Sequence, residues 1–160
     1  RRVIKKSKQR DDQRDMQHET RDLTRRATFE IFTPVTIRFC DTDKLGHVNN
    51  VSIASYIEAG RCELYYKLLQ NAGTSAEIDF VLARAAIDFR REIFYPGTVE
   101  VGSRFLKLGN RSVTSGYGIF VGDACVATAE CVNVFFDMTA RQSVVPSGTL
   151  RALLEAEVAR

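Results

Sequence analysis

NVSIASYIEAGRCELYYKLLQNAG, Asn50–Gly73, is the stretch on which the fold turns. Ile53, Ile57, Gly60, Leu64 and Leu68 recur at spacings of three and four, flanked by Ala54, Tyr56, Tyr65 and Leu69. Ser52, Ser55, Glu58, Glu63, Lys67 and Gln70 fall on the other side. This period predicts an amphipathic helix over Asn50–Gln70, about five turns long, with a broad apolar stripe. Gly73 stands where a left-handed residue would end it. Tyr56 and Tyr65 read as core or as the lining of a substrate tunnel. Glu58 and Arg61, three apart, read as a structural ion pair.

Outward from the helix the pattern changes to β. Before it, IFTPVTIRFC (Ile31–Cys40) sets Val35, Ile37 and Phe39 against Thr36, Arg38 and Cys40, the alternation of a strand. After it come four more strand-like runs: Asp79–Ile93, Val99–Leu108, Ser112–Val121 and Ala124–Asp137. They are parted by YPG (Tyr95–Gly97), GN (Gly109–Asn110) and GD (Gly122–Asp123), short turns that imply antiparallel meander connections. Pro146 introduces a short terminal helix. The order is therefore β, one long helix, four β: an α+β domain. With no second helix of its size, the long helix must bury its stripe against one sheet.

The chain has 160 residues, enough for one domain with a real core, and 44% of them are hydrophobic. No apolar run reaches the length of a membrane span, and nothing at the N-terminus resembles a secretory leader. Acidic residues among the first arginines argue against an organelle transit peptide, so a cytoplasmic location is expected. The net charge of +3 hides a division. Residues 1–26 hold ten Lys/Arg against five Asp/Glu, while the rest holds thirteen against fifteen. The basic character is confined to a polar extension, residues 1–30, preceding a near-neutral domain, residues 31–160. The early tail lacks aromatic residues, so a solvated extension is expected rather than a nucleic-acid arm. His18 lies in it and is expected to be inert. Cys40, Cys62, Cys125 and Cys131 form no C-x-x-C pair and are expected to be reduced thiols, mostly buried.

Between first strand and helix lies CDTDKLGHVNN, Cys40–Asn50. A helix leaves its first amides without intrahelical partners, and its dipole makes that end positive, suited to an oxyanion. Asp43 lies upstream across a short loop in which Gly46 lets the chain fold back. A carboxylate and free amides can thus converge on one carbonyl, as acyl transfer to water requires. Asp41 and Asp43 can equally cap a turn, and Asn49 or Asn50 can serve as the helix N-cap. A metal held by Asp41, Asp43 and His47 would lack support from any other histidine-rich element, so no metal or redox cofactor is expected.

RFCDTDKLGHVNNVSIASYIEAGR (Arg38–Arg61) resembles the active-site segment of the 4-hydroxybenzoyl-CoA thioesterase family within the hotdog-fold superfamily. That family shares D-x-D-x-x-G-H-V-N-N followed by E-x-x-R on the next helix. YPGTVEVGSRFLKLGNRSV and the terminal VVPSGTLRALLE extend the likeness over about residues 31–156. The resemblance implies a five-stranded antiparallel sheet wrapped around the helix, and hydrolysis of an acyl-CoA thioester. It implies Asp43 as nucleophile or general base and the Asn50 amide as oxyanion donor, with Gly46, Val48 and Asn49 presenting that amide. His47 would bond Asp43 or water. It also implies a homodimer or homotetramer with the active site at the subunit boundary. A non-catalytic acyl-thioester binder and a hotdog hydratase or dehydratase are the alternatives. Arg90 and Arg91 are candidates for coenzyme A phosphate contacts.

Overall fold

The computed structural model describes residues 21–73 and 78–160; the expectations for the first twenty residues, His18 among them, lie outside the described residues. Strand β1, Ile31–Ile37, is the first edge of an antiparallel sheet and pairs with β3, Gly97–Leu108. Pro34 sits on β1, where an edge strand tolerates its missing N–H. Strands β4, Ser112–Val121, and β5, Ala124–Asp137, follow by hairpins, with Gly122 supplying positive φ in the second. Strand β2, Ile78–Phe89, closes the far edge against β5, giving the order β1-β3-β4-β5-β2. A two-residue strand β6, Gln142–Ser143, pairs with the end of β5. Irregularities at Leu82/Arg84, Phe105/Lys107 and Ile119/Phe120 interrupt the ladders, devices that bend strands.

The curled sheet holds helix α1, Asn50–Ala72, with Ile53, Tyr56, Ile57, Gly60, Leu64, Tyr65 and Leu68 buried. Two apolar clusters result. One joins Ile53, Tyr56 and Ile57 to Val99, Val101, Tyr117 and Ile119. The other joins Leu64, Tyr65 and Leu68 to Phe105, Val113 and Phe135, and to Leu150 and Leu154 of helix α2, Gly148–Ala159. Where they meet runs a buried polar chain. Arg61 donates to Asn133 Oδ1 (3.3 Å), Asn133 donates to the Tyr65 hydroxyl (2.7 Å), and Ser115 bridges the Tyr65 and Tyr117 hydroxyls (3.3 and 2.8 Å). This is the five-stranded hotdog arrangement, with a long central helix and a short C-terminal one.

Details of the sequence reading are revised by the structure. The helix runs two residues past Gln70, to Ala72, before Gly73 caps it at φ 57°. The first strand stops at Ile37 rather than Cys40, because the Asp41 carboxylate takes the Arg38 amide (2.8 Å) and turns Phe39–Asp41 into a 3-10 turn. The second strand stops at Phe89, since the amides of Arg90 and Arg91 both turn to the Val126 carbonyl (2.9 and 3.1 Å). All four cysteines are free, but Cys40 and Cys62 are exposed, one on that turn and the other on the solvent side of α1.

The solvated extension expected over residues 1–30 does not hold for its described part: residues 21–30 lie against the sheet, with Phe29 buried. Leu23 and Phe29 cross β3 and β4 at Gly102, Gly116 and Gly118, and a Cβ at Gly118 would stand 2.6 Å from the Leu23 carbonyl oxygen. Arg26 stacks on Phe32 and pairs with Glu100 (2.9 Å). Among the described residues no helix is long and apolar enough to cross a membrane.

Candidate active site

The loop from β1 to α1 is built on Asp41. Its buried carboxylate accepts the Arg38 amide, the Arg38 guanidinium (Nη2 2.7 Å, Nε 3.1 Å) and the Tyr56 hydroxyl (2.7 Å). Its carbonyl accepts the Asn49 amide (2.9 Å) and the Ser52 hydroxyl (3.1 Å). The Arg38 contacts hold the Asp41 pKa down at about 2, against the opposing effect of burial. Burial, with the neighbouring Asp41 charge, pushes the Tyr56 hydroxyl up, so it stays a donor. Asp41 and Tyr56 thus fasten the loop to the helix. Tyr56, read from the sequence as core or as the lining of a substrate tunnel, is buried with its hydroxyl bonded to Asp41.

Asp43 stands differently. Its amide donates to the His47 carbonyl (3.0 Å) and its carbonyl accepts the Gly46 amide (3.1 Å), a tight reversal in which Gly46 has φ 88°. Oδ1 accepts the Leu45 amide (2.8 Å), while Oδ2 faces His47 Nδ1 at 3.5 Å. That approach is longer than a good hydrogen bond. The carboxylate is about a third exposed, so it is both anchored and reachable. His47 Nε2 looks the other way, to Glu92 Oε1 at 3.7 Å. The imidazole therefore stands between two carboxylates.

Val48 is buried and donates its amide to the Ile93 carbonyl (2.7 Å), tying the loop to the chain between β2 and β3. Asn49 is the N-cap: its Oδ1 takes the Val51 amide (2.7 Å) and its carbonyl takes the Ile53 amide (3.1 Å). Asn50 is the first helical residue, exposed, and among the described residues its amide has no hydrogen-bond partner. Exposed Phe39, Leu45, Val51, Phe94 and Tyr95 belong to the loop, the helix start and the β2–β3 connection, and Phe39 meets the Tyr95 ring edge-on at 5.8 Å. Glu58 does pair with Arg61 (2.8 Å). Arg90 and Arg91 lie just past β2, with Arg90 Nε reaching the Thr128 hydroxyl at 3.4 Å. Among the described residues no three His, Cys, Asp or Glu side chains converge as a metal site.

The family model for the thioesterase-like superfamily matches residues 37–154, most of the chain. The chain belongs to this superfamily. It resembles a Thermus thermophilus thioesterase solved with coenzyme A and zinc, at 27% identity and TM-score 0.71, over 82% of this chain and 96% of that one. A Bacillus stearothermophilus protein described as a predicted thioesterase is similar at 26% identity and TM-score 0.71, over 80% and 96%. The uncharacterized protein YsmA of Bacillus subtilis is 28% identical over 92 residues, 58% of this chain, and the match spans 62% of YsmA's length.

Within this superfamily member, the sequence pointed to Asp43, His47 and the helix start. It missed Glu92 and the Ile93 carbonyl. Those lie more than forty residues downstream, and only the pairing of loop with strand connection brings them near.

Proposed function

We propose that the protein is an acyl-CoA thioesterase that hydrolyses its substrate to a carboxylic acid and coenzyme A thiol. The observation carrying this reading is that one short loop bears both a reachable carboxylate, Asp43, and, where it enters a 23-residue helix, the Asn50 amide without a hydrogen-bond partner among the described residues. The amide, with the helix dipole behind it, stabilises the oxygen that becomes negative in the tetrahedral intermediate. Asp43 Oδ2 either attacks the thioester carbon or takes a proton from the attacking water. His47 positions Asp43. Because the thioester is itself activated, these groups supply the whole reaction. Coenzyme A as carrier rests on the similar Thermus protein, solved with that molecule.

The working unit in this reading is a dimer. Strand β2 is an edge twelve residues long with no strand beyond it among the described residues, and Val81, Leu82, Ala83 and Ala85 are exposed in its middle, on both faces, with Arg84 the one charge among them. An apolar edge of that length is suited to pairing with a second copy.

A panel of aliphatic and aromatic acyl-CoA esters assayed for thiol release tests the reading. Wild type should cleave at least one class, and Asp43→Ala should lose on the order of 100-fold or more in kcat/KM. Cleavage of none, with tight binding retained, would favour the non-catalytic binder. The nearness of His47 Nδ1 to Asp43 keeps a hydratase in view, and a larger loss in His47→Ala than in Asp43→Ala would favour it.

A further inference from the structure

A cavity of about 470 Å³ opens at the opposite end of α1 from the Asp43 loop, within the size range of small-molecule sites. Leu68, on its wall, is eighteen residues beyond Asn50, about 27 Å along the helix. The walls come from α1, from β3, from α2 and from the segment leading into β1. They combine an apolar surface with a charged rim, and the charges are unequally satisfied. Lys67 is paired with Glu63 (3.0 Å), and Arg160 with Glu157 (3.1 Å) and Glu30 (3.7 Å). Arg104 has no carboxylate within 4.0 Å among the described residues. Its Nη1 donates to the Thr28 carbonyl (2.7 Å), its Nε is buried without a partner, and its Nη2 makes no hydrogen bond there.

An unpaired, half-buried guanidinium is an unusual expense in a fold. Burial and the nearby Arg21 guanidinium disfavour its charge and outweigh the more distant Glu30 and Glu157 carboxylates, lowering the Arg104 pKa from its ordinary value. A single negative charge in the cavity would offset both effects. The rim acids Glu30 and Glu157 oppose a polyanion such as a phosphate ester, and the surplus among the lining side chains is one positive charge. The rest of the wall is mixed: Ile31, Leu64, Leu68, Phe105 and Leu153 offer hydrocarbon contact beside the polar Thr28, Asn71 and Ser103.

We propose that this cavity binds a small amphiphilic monocarboxylate, its head on Arg104 and its apolar body among Ile31, Leu64, Leu68, Phe105 and Leu153. The site is separate from the Asp43 chemistry and stands whether or not that loop hydrolyses a thioester.

Titration of the full chain with octanoate, followed by amide chemical shifts, tests it. Saturable shifts are expected at Leu68, Ser103 and Leu153, and they should persist in Asp43→Asn, which separates them from any binding at the other loop. Arg104→Gln should weaken octanoate at least tenfold, and Leu153→Trp, which fills the cavity from a half-buried position on α2, should abolish the shifts in a protein whose remaining spectrum is native. Octan-1-ol should bind at least tenfold more weakly than octanoate, and inorganic phosphate should not compete. Absence of saturable shifts at these amides, an unchanged affinity in Arg104→Gln, or displacement by phosphate at equal concentration would overturn the proposal.

Discussion

Two aspartates two residues apart in one loop have opposite fates, and the difference lies in what each carboxylate can reach. Asp41 points inward to Arg38 and Tyr56; Asp43 points along the surface to Leu45 and His47. Because Asp41 has a folded-state pKa of about 2, below the ordinary carboxylate value near 4, its contribution to stability is complete above about pH 4. It is lost as the pH falls from about 4 towards about 2. Tyr56→Phe removes one donor that favours the charged form, so acid unfolding followed by circular dichroism should begin at a higher pH than in wild type. Its cost at neutral pH should be about 1 kcal/mol in urea denaturation. Asp41→Asn should cost more, about 2 kcal/mol, because it disturbs the Arg38 contacts as well. In Asp43→Asn the fold should hold within about 1 kcal/mol, since an amide oxygen can still accept the Leu45 amide.

At the scale of elements, α1 lies close against β3. A Cβ at Gly60 would stand 2.5 Å from Val101 Cγ1 and 2.9 Å from Ser103 Oγ. Gly60→Ala should therefore destabilise by about 1–3 kcal/mol in urea denaturation, against the gain that alanine brings to an isolated helix. The periodicity of Ile53, Ile57, Leu64 and Leu68 was enough to find this helix, and turn residues such as Gly122 were enough to part β4 from β5. What stayed hidden was set by side chains overriding the local pattern. Phe39 continues the alternation of β1, yet Asp41 reaches back to the Arg38 amide and ends the strand first. Glu92 beside His47 is a tertiary juxtaposition that no spacing encodes. The packing of Leu23 and Phe29 across the glycines of β3 and β4 likewise depends on neighbours remote in sequence.

For the whole molecule, the unbalanced feature is the sheet's β2 edge. β1 at the other edge is short and carries Pro34, which blunts pairing; β2 is long and, apart from Arg84, apolar at its centre. Sedimentation of wild type should give a species of at least twice the 18.0 kDa chain mass. Leu82→Lys should shift it towards monomer and lower thiol release, without unfolding the monomer's circular dichroism signal. Dimeric mass in Leu82→Lys would place the interface elsewhere. The core, meanwhile, is crossed by the hydrogen-bonded chain from Arg61 through Asn133 and Tyr65 to Ser115 and Tyr117. Apolar contacts alone tolerate a helix that rolls about its axis, trading one leucine position for another. Arg61 and Tyr65, one turn apart, do not: a roll of one residue, about 100°, would break both bonds to Asn133 and leave that buried amide and the Tyr65 hydroxyl unpaired. They act as an index pin, fixing the azimuth of α1, and so the heading of the Asn50 amide at its far tip is set from the middle of the protein.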